Sequence, residues 1–450
     1  MGVLRVRWLA AALLALYAGP VVGQQTQGED LAALIADAEA RNPELVAARK
    51  AAEAAVARVR QAGALPDPML GVGVMNLPVA DLSVSRDMMT MTTVQLGEQF
   101  PFPGKLELRE RMAAFSAEGA SWEAERVRQR VVAEVKAAYY RIYFVDRALE
   151  VTDRNEALVG DFARLTSAKY GVGTAAQPDV LKAQVERTRL EDQLVALRQQ
   201  RSSAVARLNA LVSRPTDTPL PHTELPEAVR IAALEVGDPE MAFVSAALDE
   251  MVAGGAAGVA PGLPSIAELQ QVALQNNPMI QAHVRRIAAQ QRAVSLAEKA
   301  MLPDFNVSVG YSRRPDFGDF FQAMVMVPLP VFSGRKQDQA VLEASATLSE
   351  HEARHHAMVN EVNADIASRV AELHRARSQL VLLNEGILPQ ARASLASATA
   401  AYQVGRVDFL ALLDSQVKLY QHELDYHRLL SDFATNLAAL ERLVGKEILP

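Results

Sequence analysis

His351-Glu352-Ala353-Arg354-His355 is the stretch of this 450-residue chain that looks most like a reaction centre. Two histidines four apart share a helix face, and with the intervening glutamate this is the zinc metalloprotease spacing. Its surroundings favour a blander reading. The motif lies midway along a long charged coil, no glycine-and-histidine extension follows, and His356 beside it suggests a solvated histidine-rich face. A zinc hydrolase using His351, Glu352 and His355 is therefore the remotest alternative, with an incidental or regulatory metal contact as its milder form. His422 and His427 are five apart, do not share a helix face well, and default to core or surface. Met88, Met89 and Met91 offer soft ligands, but packing in a barrel explains them better. No phosphate-cradling glycine loop, nucleophile elbow or carboxylate pair stands out. The expectation is no catalytic residue, no metal set and no cofactor.

Composition closes further classes. The chain has no cysteine, which removes disulfide scaffolds, thiolate metal sites, thiol nucleophiles and lipid-modified cysteine together. It carries 46 Lys+Arg against 53 Asp+Glu, with no basic block, which argues against nucleic acid as a partner. Half the residues are apolar, yet there are only 13 Phe, 9 Tyr and 2 Trp. An excess of Ala, Leu and Val points to long helices.

Residues 1–23 read as a secretory signal peptide. Arg5 and Arg7 give a basic start, Trp8 to Tyr17 an apolar core, and Val21-Val22-Gly23 precede Gln24. A membrane-anchoring helix is the alternative. No later stretch has the roughly 20 uninterrupted apolar residues of a spanning helix. Any membrane crossing must therefore use strands.

The elements that would position any function are duplicated. Asn42-Pro43 recurs as Asn277-Pro278, Leu65-Pro66-Asp67 as Leu302-Pro303-Asp304, and Phe102-Pro103-Gly104-Lys105 as Phe332-Ser333-Gly334-Arg335. At a constant offset of 232, Tyr170, Val172, Gly173, Leu181, Gln184, Val185 and Glu191 match Tyr402, Val404, Gly405, Leu413, Gln416, Val417 and Glu423. Such self-similarity predicts a pseudo-twofold protein with repeats at 24–215 and 265–450. The Pro- and Gly-rich segment 216–264 between them reads as a linker in an equatorial region, with one short helix near Glu240 to Met251.

Each repeat reads as a short helix (Leu31 to Arg41; Ser265 to Asn276) stopped at Asn-Pro, and a second helix (Glu44 to Ala64; Met279 to Met301). Two strands follow, Met69 to Asn76 and Met88 to Glu98 in one copy, Phe305 to Arg313 and Asp319 to Leu329 in the other. Phe305, Val307, Val309 and Tyr311 alternate with Asn306, Ser308, Gly310 and Ser312, so one face is apolar. Then Lys105 to Tyr170 runs 66 residues without proline, and Arg335 to Tyr402 runs 68 with only Pro389. Helices of that length span about 100 Å and need partners along them. Val131, Val135, Ala138, Ile142, Val145 and Leu149 form a coiled-coil seam. Leu194, Leu197, Arg201, Ala204, Leu208 and Leu211 form another, spoiled by the arginine, and Leu413, Val417, Tyr420, Leu424 and His427 a third. Helix lengths predict that the second and last helices of each repeat stack end to end beside the long one.

Four strands of this length match tilted membrane strands but cannot close a barrel alone. An open edge in hydrocarbon leaves backbone groups unpaired at several kcal/mol each. Two, three or four chains would pool 8, 12 or 16 strands. A soluble sheet capping a coiled coil is the alternative.

With Gln99-Phe100-Pro101-Phe102-Pro103-Gly104-Lys105 and the Tyr-x-Val-Gly hairpins ahead of Asp179 and Asp414, the chain resembles the TolC family of outer-membrane efflux proteins over its mature length, most like the heavy-metal and cation branch. The resemblance implies a mainly α fold with a small β part. It implies a homotrimer in which four strands per chain build a 12-stranded outer-membrane barrel that continues into a long periplasmic helical tunnel. It also implies a passive exit duct of a tripartite efflux pump for metal ions or small toxic compounds, docked onto a periplasmic adaptor and an inner-membrane pump of RND type, without chemistry. The expected location is the Gram-negative outer membrane, extending into the periplasm, reached through a cleaved signal peptide. The lipid that many relatives carry on a cysteine has no attachment point here. A periplasmic coiled-coil adaptor without a channel is the alternative function.

In that family, polar links at the tip of the helical hairpins hold the channel shut. By position, Asp179 falls on the aspartate of the first hairpin, Tyr402 on the tyrosine of the second, and Asp414 on an aspartate lining the aperture. A family arginine is Val407 here, with Arg406 one residue away as substitute, and a second aperture aspartate is Ala411. The resemblance implies that the Tyr402 hydroxyl and Arg406 bond carboxylates on a neighbouring coil. Gly173 and Gly405 suit the tight turns, and a carboxylate ring facing a pore favours cations. A helix N-cap is the other reading of Asp179, and a solvated helix face that of Asp414.

Overall fold

The computed structural model describes residues 30–79, 82–234 and 264–448. The expected signal peptide and the linker residues 235–263, including the helix expected near Glu240 to Met251, lie outside the described residues. The first copy contains α1 (Leu31–Arg41), α2 (Pro43–Gly63), β1 (Met69–Met75), β2 (Met91–Phe100), α3 (Lys105–Gly171) and α4 (Gln177–Leu211). After α5 (Glu227–Leu234) the same order returns as α6 (Ile266–Asn276), α7 (Pro278–Lys299), β3 (Phe305–Arg313), β4 (Phe320–Met326), α8 (Gln337–Val381), α9 (Leu388–Gln403) and α10 (Phe409–Val444). No helix among the described residues is long and apolar enough to cross a membrane.

The Asn-Pro pairs do more than stop a helix. Asn42 is buried; its side-chain oxygen accepts from the N–H groups of Glu44 and Leu45, capping α2, while its Nδ2 donates to the Leu211 carbonyl at 2.9 Å. Asn277 repeats this, accepting from Met279 and Ile280 and donating to the Leu443 carbonyl at 2.8 Å. One side chain thus satisfies orphan groups at the start of the second helix and the end of the last. This joint is the predicted end-to-end stacking: α2 and α4 both lie along α3, and α7 and α10 both lie along α8.

Val131, Val135, Ile142 and Val145 of the first seam are fully buried. Arg201, which spoils the second, is a tether. Its Nε donates to Asp146 at 2.6 Å and its Nη2 to the carbonyls of Leu220 and Pro221. Asp146, 1% exposed, also accepts from the N–H and hydroxyl of Thr223. A charged pair inside the helical stack therefore pins the start of the linker. The third seam keeps Tyr420 buried as expected but elsewhere shifts by one position. Phe409, Leu412, Gln416, Leu419 and Glu423 are buried, whereas Leu413, Val417 and Leu424 lie at its margin. Two polar residues occupy the true seam because each has a partner there: Gln416 donates to Asn155, and Glu423 accepts from Arg154 and Arg392.

The long helix of the second copy is also not continuous. A π turn, Leu382–Ile387, separates α8 from α9 just ahead of Pro389. Proline has no N–H to give and its ring crowds the carbonyl four residues back, that of Glu385, both of which a turn wider by one residue accommodates.

The four strands form one antiparallel sheet in the order β1-β2-β3-β4. The register stacks Val72, Val94, Tyr311 and Phe321 in one cross-strand row and Leu70, Leu96, Val309 and Ala323 in the next. Intervening rows hold Gly73, Thr93, Ser312 and Phe320, then Gly71, Gln95, Gly310 and Gln322. One face is thus apolar and the other mostly small or polar. The apolar face is bare, with Val72 70% and Phe321 74% exposed, and β1 and β4 each keep one unpaired edge. Met88 and Met89 precede β2 and are exposed, so sheet packing within the chain does not account for them.

Candidate functional site

The hairpins α3–α4 and α9–α10 end in the same turn. Gly173 and Gly405 have φ of 78° and 74°. In each, the glycine N–H bonds the carbonyl three residues back, and the next N–H bonds the carbonyl five back (Thr174 to Lys169, Arg406 to Ala401). The six-to-one bond and left-handed residue close a helix without stranding its carbonyls. Residues without this freedom would be strained at either site.

A small core joins the two hairpins: Phe162, Ala183, Tyr402, Phe409 and Leu412. Tyr402 is 5% exposed, and its hydroxyl pairs with the Thr166 hydroxyl at 3.1 Å rather than with a carboxylate. Its ring packs edge-on against Phe409 and beneath the Lys169 ammonium at 4.9 Å. Lys169 also donates to the carbonyls of Tyr402 and Gln403, so a cation closes the C-terminal end of α9. Asp179 is not an N-cap. The cap position of α4 is Ala176, and Asp179 stands in the first turn with Lys182 at 4.0 Å. There it still favours the positive end of the helix. Asp414 is exposed and paired with Lys418 of its own helix at 2.7 Å. Arg406 is exposed and makes no side-chain bond within the described chain. The four residues thus cluster at one end, about 100 Å along α3 from the sheet by helix rise. Within the chain none of them bonds another.

Sequence reasoning missed Lys169, Thr166 and Asp408. Asp408 caps α10 by accepting from Ala411 N–H at 2.9 Å. An aspartate ahead of an apolar helical run was the available signal for it. The other two act across helices, which spacing does not reveal.

At the opposite end the Phe-Pro-Phe-Pro-Gly-Lys stretch meets the Leu-Pro-Asp of the other copy. Buried Lys105 donates to the Leu302 carbonyl at 2.6 Å and to Asp304 at 2.7 Å, and Asp304 also accepts from Phe102 N–H. Burial alone would raise the Asp304 pKa, but the bonds from Lys105 and Phe102 and the Lys105 charge together bring it below the ordinary carboxylate value. The motif is a lock between the repeats where helices meet sheet.

His351 and His355 share a face of α8, as their spacing requires, and lie against His283 of α7, a third histidine that the sequence reading did not single out. Glu352 is exposed on another side, so the metalloprotease arrangement is not assembled.

The fold and chain have known counterparts. The chain is 23% identical over 431 residues to the cobalt-zinc-cadmium resistance protein CzcC of Cupriavidus metallidurans, covering 95% of this chain and 93% of the relative. Among solved structures, VceC of Vibrio cholerae superposes with a TM-score of 0.73 at 19% identity, covering 93% of this chain and 96% of that one. CusC gives 0.75 at 15% identity, with 92% of each chain covered. The open state of MtrE from Neisseria gonorrhoeae gives 0.72 at 16% identity, covering 93% and 89%. The family model for outer membrane efflux proteins matches residues 34–214 and 269–446, which together are most of the chain. The chain therefore belongs to the outer membrane efflux protein family, whose members are transport proteins and not enzymes.

Proposed function

We propose that three copies of this chain assemble into a Gram-negative outer-membrane duct that serves as the exit of a tripartite pump. The observation that carries this reading is the sheet, with one bare apolar face and two unpaired edges on four strands. In hydrocarbon such edges are too costly to leave open, and three chains supply the 12 strands of an ordinary outer-membrane barrel. The repeats are taken as 24–215 and 265–450, exported behind a cleaved signal peptide at 1–23 and left without lipid. A periplasmic adaptor and an inner-membrane RND pump are the partners. Divalent metal cations are the favoured cargo, since the curated relative is a cobalt-zinc-cadmium resistance protein. An adaptor without a channel would leave the apolar sheet face without purpose.

At the tip, Asp179, Arg406 and Asp414 are the gate groups, with Tyr402 setting the packing beneath them. The Arg406 guanidinium has no partner among the described residues, and the Asp179 and Asp414 carboxylates are each paired with an exposed lysine of their own helix. A bond from it to a carboxylate of an adjacent protomer adds roughly 1.5–3 kcal/mol when shielded and less when wet.

Detergent-extracted protein should run as a trimer and conduct in a planar bilayer, with Arg406→Ser raising conductance and Asp414→Ala weakening block by divalent cations. A stable monomer that partitions into aqueous buffer overturns the barrel, and unchanged conductance and block in both variants overturn the gate. Deleting the gene and scoring sensitivity to metals, dyes and antibiotics tests the cargo.

A further inference from the structure

Three of the eight histidines converge on the seam between α7 and α8. The His283 ring stands edge-on to His351 with centroids 5.9 Å apart, and nearly parallel to His355 at 6.0 Å. His283 is 5% exposed, held on a helix caught between α3 and α8. The Nδ1 atoms of all three rings are buried and none has a hydrogen-bond partner among the described residues. A buried nitrogen without a partner costs roughly 1–3 kcal/mol, so three orphaned atoms on adjoining rings call for a common partner.

The charges around them set the form of the rings. Burial first, then the charge of Arg286 and the neighbouring His355, His351 and Arg354, holds the His283 pKa below its ordinary value. Burial, then His356, does the same for His355. A neutral imidazole has a lone pair to give and is the form that binds metals. No carboxylate among the described residues bonds any of the three rings.

We propose that His283, His351 and His355 form a binding site for one divalent transition-metal cation. Three imidazoles without a carboxylate suit zinc, cobalt, nickel or copper and not magnesium or calcium. Around one tetrahedral ion with metal–nitrogen bonds of about 2.0–2.1 Å, ring centroids lie about 5 Å apart. The rings here stand nearly an ångström wider, and no three such groups among the described residues already hold a coordinating arrangement. Side-chain rotation of His351 and His355, both only partly buried, closes that gap. Water completes the shell. The bound ion would clamp α7 to α8 in the wall of the second repeat. The proposal concerns the resting protein and does not depend on what the duct carries.

The test uses the full-length protein in detergent, stripped with chelator and titrated with Co²⁺. One Co²⁺ per chain is expected, with the visible absorption of tetrahedral nitrogen coordination, displaced by Zn²⁺ and unaffected by Mg²⁺. His283→Asn and His351→Asn should each weaken binding about 100-fold or more and abolish the rise in melting temperature that Zn²⁺ produces. His374→Asn and His422→Asn should leave both intact. Size-exclusion and circular dichroism profiles matching the parent protein separate lost ligation from lost folding. Absence of stoichiometric Co²⁺ in the folded parent, or an unchanged Co²⁺ spectrum in the His283→Asn, His351→Asn double variant, overturns the site.

Discussion

In the first copy the left-handed residue after the last helix is Ser213, with φ 57°, and in the second it is Gly445, with φ 81°. These positions are 232 apart, and each faces the residue before the Asn-Pro pair of its own copy. The Ser213 hydroxyl donates to the Arg41 carbonyl at 3.2 Å. At Gly445 the approach is far closer, and an added Cβ would lie 2.2 Å from the Asn276 carbonyl oxygen. The same turn is thus held by a hydrogen bond in one copy and by close backbone contact in the other. The Asn42 and Asn277 bonds around it are unchanged. What duplication preserves is the pairing of buried backbone groups; how tightly the chains approach is free to drift.

The largest test of this contrast is Gly445→Ala. It should cost about 3 kcal/mol or more, because neither the φ nor the space admits a side chain. Ser213→Gly should stay within about 0.5 kcal/mol, as read by thermal unfolding in detergent. Equal effects at the two sites would remove the contrast.

Asn42→Ala and Asn277→Ala should each cost about 2 kcal/mol, since each removes a cap and a buried donor. Their similarity is the point of the experiment: a loss confined to one copy would mean that only one joint supports the fold.

A third contrast is acid sensitivity. Val195 in the first copy is replaced at the matching position by His427, which lies 3.4 Å from the Tyr143 hydroxyl. Burial, then the charge of Arg147, lowers the His427 pKa from 6.5 to about 4. The unfolded chain therefore binds a proton that the folded chain refuses. His427 favours folding above pH 6.5, and that contribution falls away as pH drops toward 4. The loss should be about 1–3 kcal/mol, and His427→Phe should flatten that part of the stability–pH curve. An unaltered curve would place the sensitivity elsewhere.

The smallest effect belongs to Pro389, which stands where the first copy has Ala157. The second copy's stretch is two residues longer, and a π turn is a means of absorbing an inserted residue. If length drives the π turn, Pro389→Ala should change stability by less than about 1 kcal/mol and leave slow amide exchange at 382–387 nearly as it was. If proline drives it, protection across those residues should rise to that of the matching part of α3.

Much of this architecture was legible because its signals are local. Asn-Pro marks helix ends through the steric rule on the residue before proline, and Gly173 and Gly405 mark turns through their freedom at positive φ. Alternation in Phe305–Arg313 identified the apolar sheet face before any pairing was known. Apart from the buried Tyr420, the third seam was misplaced by one residue because Gln416 and Glu423 look like surface residues. Their partners Asn155, Arg154 and Arg392 lie too far along the chain for periodicity to credit them. The tip was legible in position but not in contacts. Tyr402 was expected to reach a carboxylate and instead meets Thr166, 236 residues away in sequence.

The sequence by itself determined the duplication, the helix and strand types and the turns. Those follow from backbone sterics and side-chain period. Only the tertiary structure decided which polar groups meet. It put Lys105 on Asp304, Arg201 on Asp146 and His283 beside His351 and His355. The physical reason is range. Torsional and periodic preferences act over a few residues, whereas a buried charge or imidazole is assigned its partner by whichever distant helix face packs against it.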